Sequence, residues 1–245
     1  MVPISFDNLS KSFSYGFTGR QNVLNSISLN VEKGEVFGFL GPNGAGKSTA
    51  INIALGFIRP DAGEVLINGV LSTQKSARKH LGYLPEHPVF YDHLKACELL
   101  EFSGLASGMQ KQELKKRIDP ILKKMELLPF KKRLVKTFSK GMKQRIGLAM
   151  AMIADPPILI LDEPMSSLDP MGRKLVTHLI LEMKSEGKTI FFSSHILNDV
   201  ETLCDSIAVI HKGRSLYSGD VKGFRNDFSN LEEAFIARIS SEADM

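Results

Sequence analysis

The sequence predicts an α/β fold with a parallel sheet, an antiparallel β flank and an inserted helical subdomain. Three observations predict it: a glycine-rich phosphate loop between a strand and a helix, an alternation of strands and helices after Pro157, and a helical stretch between these two parts. Such alternation implies a parallel sheet with crossover helices. We therefore expect a single domain whose core comprises residues 1–86 and 156–245, with residues 87–155 as the helical subdomain.

The phosphate loop at residues 41–48 reads Gly-Pro-Asn-Gly-Ala-Gly-Lys-Ser and fits the pattern Gly, four residues, Gly-Lys-Ser. A buried strand is predicted before it at Val36–Leu40, and a helix after it from Thr49. The glycines let backbone N–H groups point at phosphate oxygens, and the helix N-terminus adds its dipole. Lys47 can reach the β- and γ-phosphates, and the Ser48 hydroxyl can ligate Mg²⁺. The candidate phosphate-binding residues are Gly41, Pro42, Asn43, Gly44, Ala45, Gly46, Lys47, Ser48 and Thr49.

The antiparallel flank is predicted from alternation of apolar and polar residues near the N-terminus. The alternating apolar residues are Ile4, Phe6, Ile27, Leu29 and Val31. We expect a polar loop over residues 14–22 between the two strands. A further strand at Glu64–Ile67 followed by Asn68-Gly69 predicts a hairpin.

The helical subdomain and the alternating segment after it are predicted from apolar spacing. Helices are predicted at Ala96–Leu105, Lys111–Met125, Met142–Ala154, Arg173–Ser185 and Ile196–Leu203, and strands at Ile158–Leu161, Thr189–Ser193 and Ile207–Ile210. The subdomain carries basic runs at residues 115–117, 123–124 and 131–133. We interpret these runs as a solvated helix surface; a face for anionic lipid headgroups is the alternative.

Composition places the 245-residue chain among ordinary globular proteins, with 43% hydrophobic and 24% charged residues. The net charge of +4 is compatible with ATP, anionic lipid or nucleic acid and decides among none of them. Cys97 and Cys204 predict no disulfide framework and read as small buried hydrophobes. The sequence holds neither a signal peptide nor an apolar run of about 18 residues, so we expect another chain to supply any membrane span.

Two carboxylates, Asp162 and Glu163, follow the aliphatic run Ile158–Leu161. The carboxyl end of a buried parallel strand is where α/β sheets place their ligands. Asp162 is therefore a candidate Mg²⁺ ligand, and Glu163 a candidate group for polarising a water aimed at the γ-phosphate. A surface Asp-Glu pair at a strand end is the alternative. Joined to the phosphate loop, the pair predicts an NTP hydrolase, and the α/β fold is therefore expected to have a P-loop NTPase core.

Residues 138–145, Phe-Ser-Lys-Gly-Met-Lys-Gln-Arg, precede that strand by one helix. Five features follow one another along the chain: the phosphate loop, this motif, the aliphatic strand with Asp-Glu, Ser-Ser-Leu-Asp, and a lone His after a strand. This order resembles the nucleotide-binding subunit of ABC transporters, over essentially the whole chain. The family signature is usually Leu-Ser-Gly-Gly-Gln. The resemblance implies that Ser139 and Gly141 contact a γ-phosphate, with Lys140 adding a cation nearby. Ser139 is also expected to cap the following helix.

The resemblance implies roles for three further polar residues. Glu86 ends a loop, Gly82–Glu86, which in the family normally ends in Gln, and it is a candidate ligand for Mg²⁺ or its water. His195 matches the switch histidine that hydrogen-bonds the γ-phosphate. Asp169 ends a loop that crosses a dimer interface. The implied catalytic residues are Glu163, His195 and Lys47.

An aromatic residue that stacks on adenine is also implied by the resemblance, and Phe13 matches it. Phe13 in the core, with Tyr15 as the stacking residue, is the alternative.

The resemblance further implies the working assembly. Two copies of the chain, or the chain and a paralogous ATPase, would bind MgATP between them and drive a separate membrane-spanning permease. The Tyr-Leu-Pro-Glu loop, the Ser-Lys-Gly-Met signature and the ending at residues 230–235 look like the export-type branch. We therefore expect a cytoplasmic protein held on the inner face of the cell membrane by its permease, without a nucleic-acid partner. A soluble ABC-type ATPase acting on ribosomes or DNA is the alternative.

Overall fold

A computed structural model describes residues 1–15, 19–226 and 228–243, with the backbone alone at Tyr15 and residues 241–243. Its strands are β1 Ile4–Tyr15, β2 Gly19–Val31, β3 Val36–Leu40, β4 Ala62–Ile67, β5 Val70–Leu71, β6 Leu81–Leu84, β7 Ile158–Asp162, β8 Thr189–Ser194, β9 Ser206–His211 and β10 Arg214–Asp220. Its α-helices are α1 Lys47–Ala54, α2 Ala96–Ala106, α3 Lys111–Lys124, α4 Lys140–Met152, α5 Pro170–Ser185, α6 Leu197–Leu203, α7 Val221–Arg225 and α8 Leu231–Ala243.

The strands form two sheets, which confirms the predicted fold class. The larger sheet has the order β10-β9-β3-β8-β7-β6, and its strands are parallel except for β10 at one edge. The smaller sheet has the order β2-β1-β4-β5 and is antiparallel. The chain therefore combines a parallel sheet with an antiparallel flank.

Aromatic packing joins the two sheets. The ring of Phe191 on β8 lies 5.7 Å from that of Phe37 and 5.2 Å from that of Phe39, both on β3, and 6.1 Å from that of Phe6 on β1. All four rings are buried. Because β3 is paired on both sides and buried along its whole length, its carboxyl end is a rigid base for the phosphate loop.

The helical segment packs on the other face of the larger sheet. Helices α2, α3 and α4 share one apolar core with the sheet, and α4 lies against β6. That these helices form a subdomain with boundaries at residues 87 and 155 stays a prediction.

Three of the eight side chains in the basic runs of this segment, Arg117, Lys124 and Lys131, form ion pairs in the described part of the chain. Lys124 contacts Glu182 at 2.9 Å, and Lys131 contacts Asp119 at 2.5 Å. These pairs agree with the interpretation as a solvated surface.

Two local predictions are wrong. Residues 14–22 are not simply a loop: β1 continues to Tyr15 and β2 starts at Gly19, with residues 16–18 outside the described part. The outer part of this ribbon is exposed, so its sequence lacks the alternation that marks a half-buried strand. Residues 81–84 form the edge strand β6, which is too short for a clear periodic signal.

Two further features concern the cysteines and the membrane. Cys97 and Cys204 are free thiols, as expected, but both are half-buried rather than fully buried. Across residues 1–15, 19–226 and 228–243, no helix combines the length and apolar character that a bilayer span needs.

Candidate nucleotide site

The phosphate loop runs from the end of β3 to α1 in a tightly packed setting. A Cβ atom on Gly41 would lie 2.4 Å from the carbonyl oxygen of Ile210, and one on Gly46 would lie 2.8 Å from that of Val23. Gly46 also has φ of +109°, which side-chain-bearing residues rarely adopt. It caps α1 without a side-chain hydrogen bond, so the first N–H groups of the helix stay available for an anion.

A cavity of about 320 Å³ opens above this loop. It is lined by Val23, Pro42, Asn43, Gly44, Gly46, Lys47, Ser48, Thr49, Glu86 and Glu163. Most of these residues were predicted from the phosphate-loop motif and from the resemblance. Val23 on β2 was not, because nothing in the local sequence says that the antiparallel flank supplies a wall.

Glu163 lies between two basic side chains at the floor of the cavity. Its Oε1 lies 3.4 Å from Lys47 Nζ, and its Oε2 accepts a 2.9 Å hydrogen bond from His195 Nδ1–H. Lys47 Nζ also donates to the carbonyl of Gly41 at 2.7 Å. Glu163 has φ of +48°, a strained value for a residue with a side chain. The three predicted catalytic side chains therefore meet at one point.

Asp162 is buried beside them. Its Oδ1 accepts a 2.5 Å hydrogen bond from Ser193 Oγ, and its carboxylate also bonds the Ser48 hydroxyl. Burial raises the pKa of Asp162, and the hydrogen bonds from Ser193 and Ser48 oppose that rise. Burial and the charge of Asp162 raise the pKa of Tyr83 to about 12.

These oxygen groups suit a hard cation. Carboxylate and hydroxyl oxygens are the ligands that Mg²⁺ takes in phosphate-transfer sites, together with phosphate oxygens and water. Asp162 and Ser48 are in contact, and Glu86 lines the same cavity, half-exposed and 3.8 Å from His87 Nε2. Within the described part of the chain, no cluster of three or more metal-binding side chains forms. The residues therefore fit a Mg²⁺ ion that the nucleotide itself helps to hold.

Two supporting residues escaped the sequence reasoning. Ser193 Oγ accepts from the N–H of Glu163 at 2.9 Å while it donates to Asp162. Gln144 on α4 is buried, and its Nε2 donates to the carbonyl of Pro164 at 3.2 Å. The signal for Ser193 was a hydroxyl two residues before His195, at the end of the same strand, whereas Gln144 depends on how α4 meets the loop after β7.

The signature residues lie apart from this chain's own cavity. Ser139 caps α4, and its Oγ accepts from the Met142 N–H at 3.2 Å, as predicted. Lys140 is exposed at the same helix end, and Gly141 lies beside the loop that leads to Asp169. None of the signature residues, nor Asp169, lines the cavity.

The cap of α5 is formed by Asp169, whose Oδ1 accepts from the Gly172 N–H at 2.7 Å. The signature helix and this loop thus form a second candidate surface, separate from the phosphate loop.

Phe13 is 40% exposed, which excludes the alternative of a core position. The ammonium of Lys11 lies 5.4 Å from the centre of its ring. The side chain of Tyr15, the other candidate for stacking, lies outside the described residues.

The fold and the site together define a P-loop ATPase with a signature helix. Residues 24–166 match the ABC transporter family. The chain is 42% identical to the ABC transporter ATP-binding protein sll0415 of Synechocystis sp. over 97% of its own length and 71% of the relative. It is 38% identical to the lantibiotic transport ATP-binding protein SrtF of Streptococcus pyogenes over 98% of both.

Solved structures show the same fold. An ATP-binding subunit of an ABC transporter aligns with a TM-score of 0.88 and 33% identity, over 98% of this chain and all of the other. A dimeric post-hydrolysis state of the ATP-binding cassette MJ0796, bound to ADP and phosphate, aligns with a TM-score of 0.82 and 26% identity, over 90% of this chain and all of the other. The chain belongs to the ABC transporter family: it is an ATP-binding cassette and an ATPase.

Ser193→Ala tests the support beneath the two carboxylates. We expect kcat/KM for ATP to fall by about 5- to 100-fold, because both hydrogen bonds made by this hydroxyl are lost. The acid limb of the pH profile should also move to higher pH, since the lost hydrogen bond favoured ionised Asp162. The measurement is phosphate release across pH.

Ser194→Ala is the matched control, because within the described part of the chain its hydroxyl bonds the nearby backbone of Ile196 and neither of the two carboxylates. An acid limb that stays in place in Ser193→Ala would contradict the assignment.

Proposed function

We propose that this chain is the ATP-hydrolysing subunit of an export-type ABC transporter with a separate membrane-spanning permease. The observation that carries the proposal is Glu163 held between Lys47 and His195 on the floor of the phosphate-loop cavity. The similarity to a lantibiotic transport ATP-binding protein over nearly the full length of both chains supports export. A place at the inner face of the cell membrane, through the permease, follows from this role.

In this proposal, each residue around the cavity has a separate task. Lys47 exchanges its contact with Glu163 for the γ-phosphate, which frees the carboxylate to orient a water for in-line attack. His195 holds the carboxylate from the other side. Phe13 stacks on the adenine. Mg²⁺, held by Ser48 and Asp162 with Glu86 nearby, would neutralise charge on the phosphates.

The start of α4 and the loop that leads to Asp169, together the signature surface, complete the site of a second copy. Ser139 and Gly141 start a helix whose N-terminus favours an anion, yet they do not line their own chain's cavity. A head-to-tail pair would bring this helix end to the γ-phosphate of the facing copy, with Asp169 at the crossing. The dimeric state of the similar cassette MJ0796 supports this arrangement.

Exposed apolar side chains after Glu86 supply a docking surface for a cytoplasmic helix of the permease. Val89 is 94% exposed, Tyr91 is 55% exposed and Phe102 on α2 is 48% exposed. The Tyr91 and Phe102 rings form an edge-to-face pair with centres 5.3 Å apart. Phe90, between Val89 and Tyr91, packs against the core instead. This patch suits a helix-in-groove contact.

Glu163→Gln should keep ATP binding and lower turnover by roughly 10²–10⁴-fold, because the amide cannot accept a proton from the water. The measurement is phosphate release alongside nucleotide binding. Glu64→Gln, which neutralises an exposed carboxylate on β4, is the control. Turnover near the wild-type rate in Glu163→Gln would refute the assignment.

The head-to-tail pair is tested in the same background. Glu163→Gln with MgATP should shift the protein from monomer to dimer in light scattering, because bound ATP is no longer consumed. Adding Ser139→Arg should abolish the shift, since the larger side chain occupies the γ-phosphate position. Lys136→Arg, at an exposed site before the signature, is the control. A dimer that persists with Ser139→Arg would count against the arrangement.

Tyr91→Ala with Phe102→Ala should leave the melting temperature and basal ATPase activity close to wild type, because both rings are exposed. Co-purification with the co-expressed membrane subunit should be lost. Phe90→Ala is the contrast: it should lower the melting temperature, because this ring packs on the core. Normal recovery of the membrane subunit with the double variant would end the docking proposal.

A further inference from the structure

The ribbon that carries Phe13 leaves the body of the smaller sheet. Strand β4 pairs with β1 only as far as Ser10, so beyond that point β1 pairs with β2 alone. A two-stranded ribbon is marginally stable by itself. The position of Phe13 therefore depends on what holds the base of this ribbon.

The carboxylate of a single residue, Asp61, holds the base of this ribbon. Asp61, in the turn before β4, accepts hydrogen bonds from both the N–H and the hydroxyl of Ser12, at 2.8 and 2.7 Å. Its other oxygen lies 2.8 Å from Lys11 Nζ. The Asp61 N–H also donates to the carbonyl of Ser10 at 2.9 Å. Three successive β1 residues are thus fixed by a single side chain and its own backbone.

The part of β2 that lies opposite Lys11 and Ser12 forms a wall of the nucleotide cavity. Lys11 pairs with Leu24 and Ser12 pairs with Asn22, which leaves Val23 as an extra residue, a bulge, on β2. Val23 lines the cavity. Asp61 therefore fixes β1 directly opposite the cavity wall and one residue before Phe13.

Lys11 connects Asp61 to the aromatic ring of Phe13. Lys11 and Phe13 are two residues apart on one strand and share a face. The ammonium lies within cation–π distance of the ring, while Asp61 holds it in place. A cation fixed on one face of the ring leaves the opposite face for a planar, uncharged base.

We propose that Asp61 is a positioning residue for the nucleotide base: through Ser12 and Lys11 it fixes the Phe13 ring for adenine. This inference rests on the adenine role proposed for Phe13. It predicts that Asp61 contributes to recognition of the base and contributes nothing to recognition of the phosphates. The hydrogen bonds from Lys11 and Ser12, which hold the pKa of the Asp61 carboxyl well below its ordinary value, are consistent with a permanently charged anchor.

The test compares MgATP with Mg-tripolyphosphate, which lacks base and sugar, by equilibrium binding to the full chain. Asp61→Asn should weaken ATP binding by about three- to tenfold and leave tripolyphosphate binding unchanged. Asp7→Asn, the same charge change at an exposed site on β1, is the matched control and should leave both unchanged. Phe13→Ala should weaken ATP binding alone, and adding Asp61→Asn to it should weaken binding little further.

A fluorescence reading separates positioning from a general structural effect. The chain contains no tryptophan, so Phe13→Trp places a single indole at the stacking position. Adenine should quench it, and the anisotropy of the free protein should fall when Asp61→Asn is added. If Asp61→Asn does not fold, Lys11→Met replaces it, because this variant keeps the Asp61–Ser12 bonds. It should weaken ATP binding and lower the indole anisotropy in the same way, but by smaller amounts.

The outcomes are distinguishable. If Phe13→Ala leaves ATP binding unchanged, the adenine role in the proposed function fails. If Phe13→Ala weakens ATP binding and Asp61→Asn does not, the positioning inference alone fails. Equal weakening of ATP and tripolyphosphate by Asp61→Asn, or unchanged indole anisotropy, would also overturn it.

Discussion

The close packing of the phosphate loop between the two sheets is the constraint on which the rest of the site depends. The loop leaves β3, a fully buried strand that is paired on both sides, and packs against Ile210 of β9 on one side and Val23 of β2 on the other. The Ala45 carbonyl accepts from the Gly213 N–H at 3.1 Å, and the Gly213 carbonyl accepts from the Asn25 N–H at 2.8 Å. The antiparallel flank is thus bonded, through one turn, to the loop that holds the phosphates.

The electrostatics of the cavity follow from this packing. Because the loop fixes Lys47, its buried ammonium has a defined set of oxygen partners: the Gly41 and Pro42 carbonyls and the Glu163 carboxylate. A buried charge of this kind is stable only when it is paired. A γ-phosphate is a stronger partner than one carboxylate, so nucleotide binding is expected to change the partners of Lys47 and of Glu163 together. The proposed catalytic group is therefore held by the same side chain that senses the substrate.

The sequence predicted the parts of this architecture that depend on local pattern. The phosphate loop, the aliphatic strand before Asp162 and the α4 cap at Ser139 each carry their signal within a few residues. The outer ribbon of β1 and β2 and the edge strand β6 were missed as strands, because an exposed or four-residue strand has no burial pattern to detect. Val23 and Gln144 could not be assigned to the site, since each reaches it through packing between segments distant in sequence.

The division of the proposed site between two surfaces gives a physical reason for coupling hydrolysis to movement. The phosphate-loop cavity is lined by Lys47, by the proposed metal ligands Ser48 and Glu86 and by the proposed water-orienting Glu163, but not by the helix dipole that the proposal requires on the far side of the γ-phosphate. Such a dipole lies at Ser139, at the start of α4, and α4 is also bonded through Gln144 to the loop after Glu163. When α4 of one copy closes on its neighbour's nucleotide, the movement would therefore be transmitted through Gln144 to the loop after Glu163 in the same copy. Since α4 shares its core with α2, which carries Phe102 of the proposed docking surface, the same helices would link the nucleotide to the proposed membrane partner.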